Sequence, residues 1–205
     1  TQTPYSLSNM HISFVIPCLN EEDTIKSVIS DCHIGGGKCQ VKYEIIVADN
    51  GSIDRSVAYA ETAGAKVVHV KLKGYGAALQ AAIQNAEGKF LIMADADCTY
   101  NLQQAPEFIH KLEEGFDLVM GNRFKGSIEK GAMPFLHYYI GNPILSFIGR
   151  LFFGIKIGDF HCGIRAFRKK SIEGLYLNSK GMEFASEMVI KARLSNLKLT
   201  EIPTT

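Results

Sequence analysis

The chain has 205 residues, of which 46% are hydrophobic and 21% charged, with a formal net charge of +1. This length and apolar content suit one domain with a substantial core. With 22 basic residues against 21 acidic ones and no basic run, nothing marks a nucleic-acid partner, and none is expected.

Residues 1–10 are polar and read as a flexible leader, with no secretory signal before His11. Residues 11–205 read as a single domain. Residues 11–17 (HISFVIP) form a buried strand, after which Asn20, Glu21, Glu22, Asp23 and Thr24 open a helix. Residues 43–49 (YEIIVAD) form a second strand, closed by a turn at Asn50-Gly51-Ser52 with Asp54 capping the next helix, 56–63. Residues 66–70 (KVVHV) form a third. Gly74-Tyr75-Gly76 leads into an Ala-rich helix at 77–86, whose N-terminus favours anions, so Lys73 is a candidate nucleotide or phosphate contact. Residues 90–95 form a fourth strand and 117–120 a fifth. Strands alternating with helices imply parallel pairing in a doubly wound α/β sheet. No Gly-x-Gly-x-x-Gly follows the first strand, and Gly35-Gly36-Gly37 reads as lying after the first helix, so an NAD-binding fold is not expected.

The fourth strand delivers Asp95 and Asp97 at its end. In a strand, residues i and i+2 point to one side, so the two carboxylates converge on one hard cation. Mg²⁺ keeps waters and completes its shell with substrate phosphate, so the pair suggests a metal–diphosphate site. The competing reading is a loop start whose aspartates cap the next helix. In open α/β sheets ligands bind beyond the carboxyl ends of the strands, and the clusters at Pro17 to Glu21, Asp49-Asn50 and Asp95/Asp97 all fall there.

Residues 133–157 (MPFLHYYIGNPILSFIGRLFFGIKI) are aromatic-rich but interrupted by His137, Asn142, Pro143 and Arg150, unlike a spanning helix. Asn142, Ser146 and Arg150 make a narrow polar stripe. The segment fits either a helix covering the sheet or an amphipathic helix at a membrane interface. Five scattered cysteines without a Cys-x-x-Cys pair suit reduced thiols, and Cys32-His33 with Cys39 lacks a zinc quartet. His161 reads as a packed histidine or one facing a sugar.

The segments Pro17-Cys18-Leu19-Asn20-Glu21-Glu22, Ala48-Asp49-Asn50-Gly51-Ser52-Ile53-Asp54 and Asp95-Ala96-Asp97 resemble the family 2 glycosyltransferases of GT-A fold. Gly121-Asn122-Arg123-Phe124, the run from Asp159 to Arg168 (DFHCGIRAFR), Met182 to Glu187 (MEFASE) and Glu201-Ile202-Pro203 extend the resemblance over about residues 12–203. The group most closely resembled is the polyprenyl-phosphate glycosyltransferases. The resemblance implies a Rossmann-like, mostly parallel sheet and an interfacial helix region at 131–158. It implies that Pro17, Leu19, Asn20 and Glu21 line the base and ribose and that Asp49, beside Asn50, hydrogen-bonds the base. Asp97 is then expected to coordinate Mg²⁺ or Mn²⁺, with Asp95 touching metal, ribose or both. Where relatives carry a metal-binding Gln, this chain has Thr99, which leaves the third ligand open. The resemblance further implies Arg123 near the reacting phosphates, Arg165 facing the acceptor, and Glu187, on a helix at 182–194, as general base or as a group that orients the sugar or an arginine.

The implied reaction is inverting sugar transfer from a UDP- or GDP-sugar to a polyprenyl phosphate at the cytoplasmic face of a membrane surface. The alternatives are a saccharide or other hydroxyl acceptor, and a non-catalytic nucleotide-binding or membrane-docking domain. Since the chain ends just after Glu201-Ile202-Pro203, it is also expected to be a catalytic domain trimmed at its C-terminus.

Overall fold

The computed structural model describes residues 11–125 and 157–204. In chain order the strands are β1 (His11–Cys18), β2 (Lys42–Asp49), β3 (Lys66–His69), β4 (Phe90–Met93), β5 (Leu118–Asn122), β6 (Arg165–Arg168) and β7 (Leu199–Pro203). The α-helices are α1 (Ile25–Lys38), α2 (Ser56–Thr62), α3 (Tyr75–Asn85), α4 (Ala105–Glu113), α5 (Lys169–Glu173) and α6 (Phe184–Leu194). The strands form one sheet in the order β3-β2-β1-β4-β6-β5-β7. Only β6 runs antiparallel to its neighbours, β4 and β5.

The alternation of side chains along each strand builds two core layers, one per face. Ile12, Phe14 and Ile16 of β1, with Phe90 and Ile92 of β4, pack on the α1 and α4 side against Ile29 and Phe108. Val15, Leu91 and Met93 face the other way, onto Leu79 of α3 and Met188 of α6. Both faces are therefore covered, as a mostly parallel sheet requires.

Most element ends differ from the sequence reading by a residue or two, and two differences bear on the argument. Gly35-Gly36-Gly37 lies inside the last turns of α1, not after it. Close packing explains two of the three glycines: a Cβ on Gly35 would sit 2.2 Å from the Leu102 carbonyl oxygen, and one on Gly36 would sit 2.7 Å from the Tyr43 ring. Strand β4 ends at Met93, so Asp95 and Asp97 stand in the loop beyond it, where Cys98 turns through φ 61°. Their relation is set by that loop and its contacts, not by the pleat of a strand. The expected interfacial helix at 131–158 falls almost wholly outside the described residues. Among the described residues, no helix is long and apolar enough to cross a membrane.

Candidate active site

A cleft of ≈ 460 Å³ opens at the carboxyl ends of β1, β2 and β4. It is lined by Pro17, Leu19, Glu21, Asn50, Lys73, Asp95 and Asp97, seven of the residues singled out from sequence, together with Gly74, Tyr75 and Met182. The parallel register brings them together, since Cys18 pairs with Asp49 and Asp49 with His69.

The exit of β2 is locked by side chains. Asp49 is 4% exposed. Its carboxylate accepts from the Ser52 amide (2.9 Å), the Gly51 amide (3.3 Å) and His69 Nδ1 (3.2 Å). Burial opposes its ionisation, but the donors from Ser52, His69 and Gly51 prevail and hold it below the usual aspartate range. Asn50 donates from Nδ2 to the carbonyls of Val70 (3.2 Å) and Leu72 (2.8 Å) and accepts from the Gly74 amide (2.8 Å), tying β2 to the loop before α3. Lys73 Nζ donates to the Asn50 carbonyl at 2.5 Å. Gly51, at φ 92°, leaves room for it, because a Cβ there would lie 2.2 Å from Nζ. The ammonium is thereby held at the cleft wall. Asn20, at φ 57°, instead joins two loops: its Oδ1 accepts from the Ile53 amide (2.9 Å) and its amide donates to Ser52 Oγ (2.9 Å).

The two acidic residues differ. Asp95 is half-buried, and its Oδ1 accepts from the Tyr75 hydroxyl at 2.8 Å. Burial pushes its carboxyl above the usual aspartate range, with the charge of Asp97 adding to the effect. Asp97 is exposed and accepts from the Thr99 amide at 2.9 Å. Among the described residues, no group of three His, Cys, Asp or Glu side chains could hold a metal ion. Two carboxylates on an open cleft suit a hard cation that fills its other positions with water and diphosphate.

Beyond the cleft, the arginines are engaged with protein groups. Arg123 makes a two-pronged pair with the fully buried Asp159, Nε to Oδ2 at 2.7 Å and Nη2 to Oδ1 at 2.9 Å, and its amide donates to Oδ2 at 3.2 Å. Arg165, expected to face the acceptor, is instead turned into the protein interior. It is 0% exposed and donates to three carbonyls, those of Cys162 (3.0 Å), Ala185 (2.5 Å) and Phe160 (3.0 Å). Its guanidinium therefore knots the approach to β6 onto α6. His161 is half-buried, its Nδ1 shielded and unpartnered among the described residues.

Glu187 is also committed. Its carboxylate accepts from the amides of Asn178 (3.0 Å) and Ser179 (2.8 Å) and pairs with Lys191 at 2.7 Å. Burial works against the charge, but Lys191 and the two amides bring the carboxyl from the ordinary 4.5 down to about 2. A base that weak takes protons poorly near neutrality. A depressed carboxyl stabilises the fold above its unfolded value and loses that contribution as pH falls through the folded one. Acid unfolding of the Glu187→Gln variant, followed by circular dichroism, is thus expected to be less steep than wild type between pH 4.5 and about 2. Identical acid titrations would contradict this assignment.

Several functional groups escaped the sequence reading. Tyr75 and Met182 line the cleft, Asp159 holds Arg123, and Gly163 backs Asp95. The Gly74-Tyr75-Gly76 and DFHCGIR segments drew attention, but nothing in them reveals which carboxylate each residue meets.

Residues 13–175 match "Glycosyl transferase family 2". The low-salt glycan biosynthesis hexosyltransferase Agl6 of Haloferax volcanii is 38% identical over 195 residues, 95% of this chain and 47% of that protein. The dolichyl-phosphate hexose transferase of the same organism is 29% identical over 205 residues, 98% of this chain and 84% of its own. The dolichol-phosphate mannosyltransferase of Pyrococcus furiosus is 28% identical over 204 residues, 96% of this chain and 56% of that protein. The chain thus spans about half the length of Agl6 and of the Pyrococcus protein. The crystal structure of glucosyl-3-phosphoglycerate synthase from Mycobacterium tuberculosis with Mn²⁺, uridine diphosphate and phosphoglyceric acid superposes with a TM-score of 0.75 at 24% identity, covering 95% of this chain and 69% of that one. This last likeness is one of fold. The chain belongs to glycosyl transferase family 2, with its central sheet arranged as in GT-A folds.

Proposed function

We propose that this domain transfers a hexose from a UDP- or GDP-sugar to a polyprenyl phosphate, dolichyl or undecaprenyl, at the cytoplasmic face of a membrane. The observation that carries this reading is the convergence of Asp95, Asp97 and Lys73 on one cleft. Pro17, Leu19 and Glu21 form the part of that cleft that suits a base and ribose, and Lys73 supplies a cation for a phosphate oxygen. Asp97, with Asp95 beside it, would hold Mg²⁺ or Mn²⁺. Such an ion neutralises the leaving diphosphate when bound. Arg123, oriented by Asp159, adds positive charge beyond Asp95.

The reaction is read as a single displacement with inversion. An acceptor phosphate oxygen bonds to the anomeric carbon as the bond to the nucleoside diphosphate breaks, and the electron pair leaves with that diphosphate. A phosphate acceptor is anionic near neutral pH and needs no general base. The engagement of Glu187 with Lys191 and two backbone amides favours such an acceptor over a hydroxyl, which would need one. Catalysis then rests on positioning and charge stabilisation. Two relatives that act on, or are named for, dolichyl phosphate add support.

The test is transfer of labelled hexose from UDP- and GDP-hexoses to dolichyl phosphate in vesicles. Label extracted into organic solvent as glycolipid, dependent on the added lipid phosphate, is expected. Transfer to soluble saccharides with indifference to lipid phosphate would overturn the acceptor assignment.

A further inference from the structure

The mechanism outlined above leaves Tyr75 without a role, although its phenol stands in the cleft and donates to Asp95 Oδ1 at 2.8 Å. Asp95 is gripped from the other side as well. A Cβ on Gly163 would lie 2.3 Å from Asp95 Oδ2 and 2.8 Å from the Tyr100 ring, so only a glycine lets the carboxylate sit where it does. The Gly163 amide in turn donates to the Tyr100 hydroxyl at 2.7 Å, which fixes that backing. One oxygen of Asp95 is therefore held by a phenol and the other by close packing.

The phenol is itself held in place. Tyr75 opens α3, and the first turn of that helix is pinned by residues 179–181. The Ala77 amide donates to the Lys180 carbonyl at 3.1 Å, and Gln80 Nε2 donates to the Ser179 carbonyl at 2.8 Å. A Cβ on Gly76 would meet that Ser179 oxygen at 2.4 Å. Glu187 anchors the same stretch through the amides of Asn178 and Ser179. A chain of contacts thus runs from Glu187 on α6, through the start of α3, to Asp95.

We propose that Tyr75 is a positioning residue for the cleft, its hydroxyl holding Asp95 in the orientation in which that carboxylate joins Asp97 on a divalent cation. This rests on reading the cleft as a metal–nucleotide site. A tyrosine present only for packing would contribute through its ring, whereas a positioning role resides in the hydroxyl. Outer groups that orient a ligating side chain typically govern metal affinity by about 10–100-fold.

The experiment compares wild type, Tyr75→Phe and Gly163→Ala for Mn²⁺ binding, read from the paramagnetic resonance of free aquo-Mn²⁺, with UDP or GDP present. Calorimetry gives nucleotide affinity without metal, and thermal melting gives stability. Tyr75→Phe is expected to weaken nucleotide-supported Mn²⁺ binding about tenfold, with a far smaller change in metal-free nucleotide affinity and only a modest fall in melting midpoint as Asp95 Oδ1 loses its donor. Gly163→Ala, which presses on the opposite oxygen, is expected to weaken Mn²⁺ binding too, and tests the same grip if Tyr75→Phe folds poorly. Wild-type Mn²⁺ affinity in both variants would overturn the proposal. So would a loss of metal-free nucleotide affinity and stability equal to the loss of Mn²⁺ binding. If wild type itself shows no metal-dependent nucleotide binding, the reading of the cleft fails and the proposal fails with it. That outcome is distinct from a normal wild type with indifferent variants.

Discussion

Replacing Asp97 with alanine is expected to lower sugar transfer by about 10²–10³-fold or more, the scale on which single groups that stabilise transition-state charge act. The same change is expected to leave stability within about 0.5 kcal/mol of wild type, as exposed substitutions usually do. Asp97 is exposed and caps only its own loop through the Thr99 amide. Asp95 cannot take over its role, because a single half-buried carboxylate leaves the cation without its second protein ligand. Steady-state transfer rates with saturating Mn²⁺, set beside urea unfolding of the same preparation, check both halves of the expectation. An Asp97→Ala enzyme with undiminished turnover would remove the proposed metal role.

Arg165 predicts the opposite pattern. Arg165→Met keeps most of the side-chain volume but removes from the interior a guanidinium that donates to the carbonyls of Cys162, Ala185 and Phe160. The loss of a buried donor costs about 1–3 kcal/mol for each acceptor left short of a partner, and since the Ala185 carbonyl keeps its helical amide, a loss of about 2–4 kcal/mol is expected. Equilibrium urea unfolding measures it as a lowered midpoint with an unchanged slope. If Arg165 contacted the acceptor instead, the variant would keep its stability and raise the KM for the lipid phosphate. Retained stability would therefore contradict the structural role.

The sequence made the frame of this domain legible because its signals are local. The apolar runs before Pro17, Asp49 and Asp95 have strand length, and the helical stretches between them are long enough to force parallel crossovers. Position on the rim follows from that frame, which is why Pro17, Leu19, Glu21, Asn50, Lys73, Asp95 and Asp97 meet in one cleft. What escaped depends on contacts between distant residues. The antiparallel strand β6 is four residues long and lies in the RAFR stretch, whose two arginines hide its β character. Gly35 to Gly37 looked like a loop because glycine weakens helices, yet they lie in α1, and Leu102 and Tyr43 leave no room for a side chain at Gly35 and Gly36. Arg165 and Glu187 have residue types that suit phosphate binding and proton transfer, and only tertiary structure reveals carbonyls around one and amides around the other. The contact of His69 with Asp49 is likewise a product of register between β2 and β3.

The central claim is that the cleft between β1, β2 and β4 takes a nucleoside diphosphate together with a divalent cation. Calorimetric titration of the protein with UDP and with GDP, each with and without Mn²⁺ or Mg²⁺, tests it most directly. The account predicts saturable binding of one of the two nucleotides that strengthens with metal and loses that strengthening in Asp97→Ala. Absence of binding by both nucleotides to folded protein, or binding that is indifferent to metal, would contradict it.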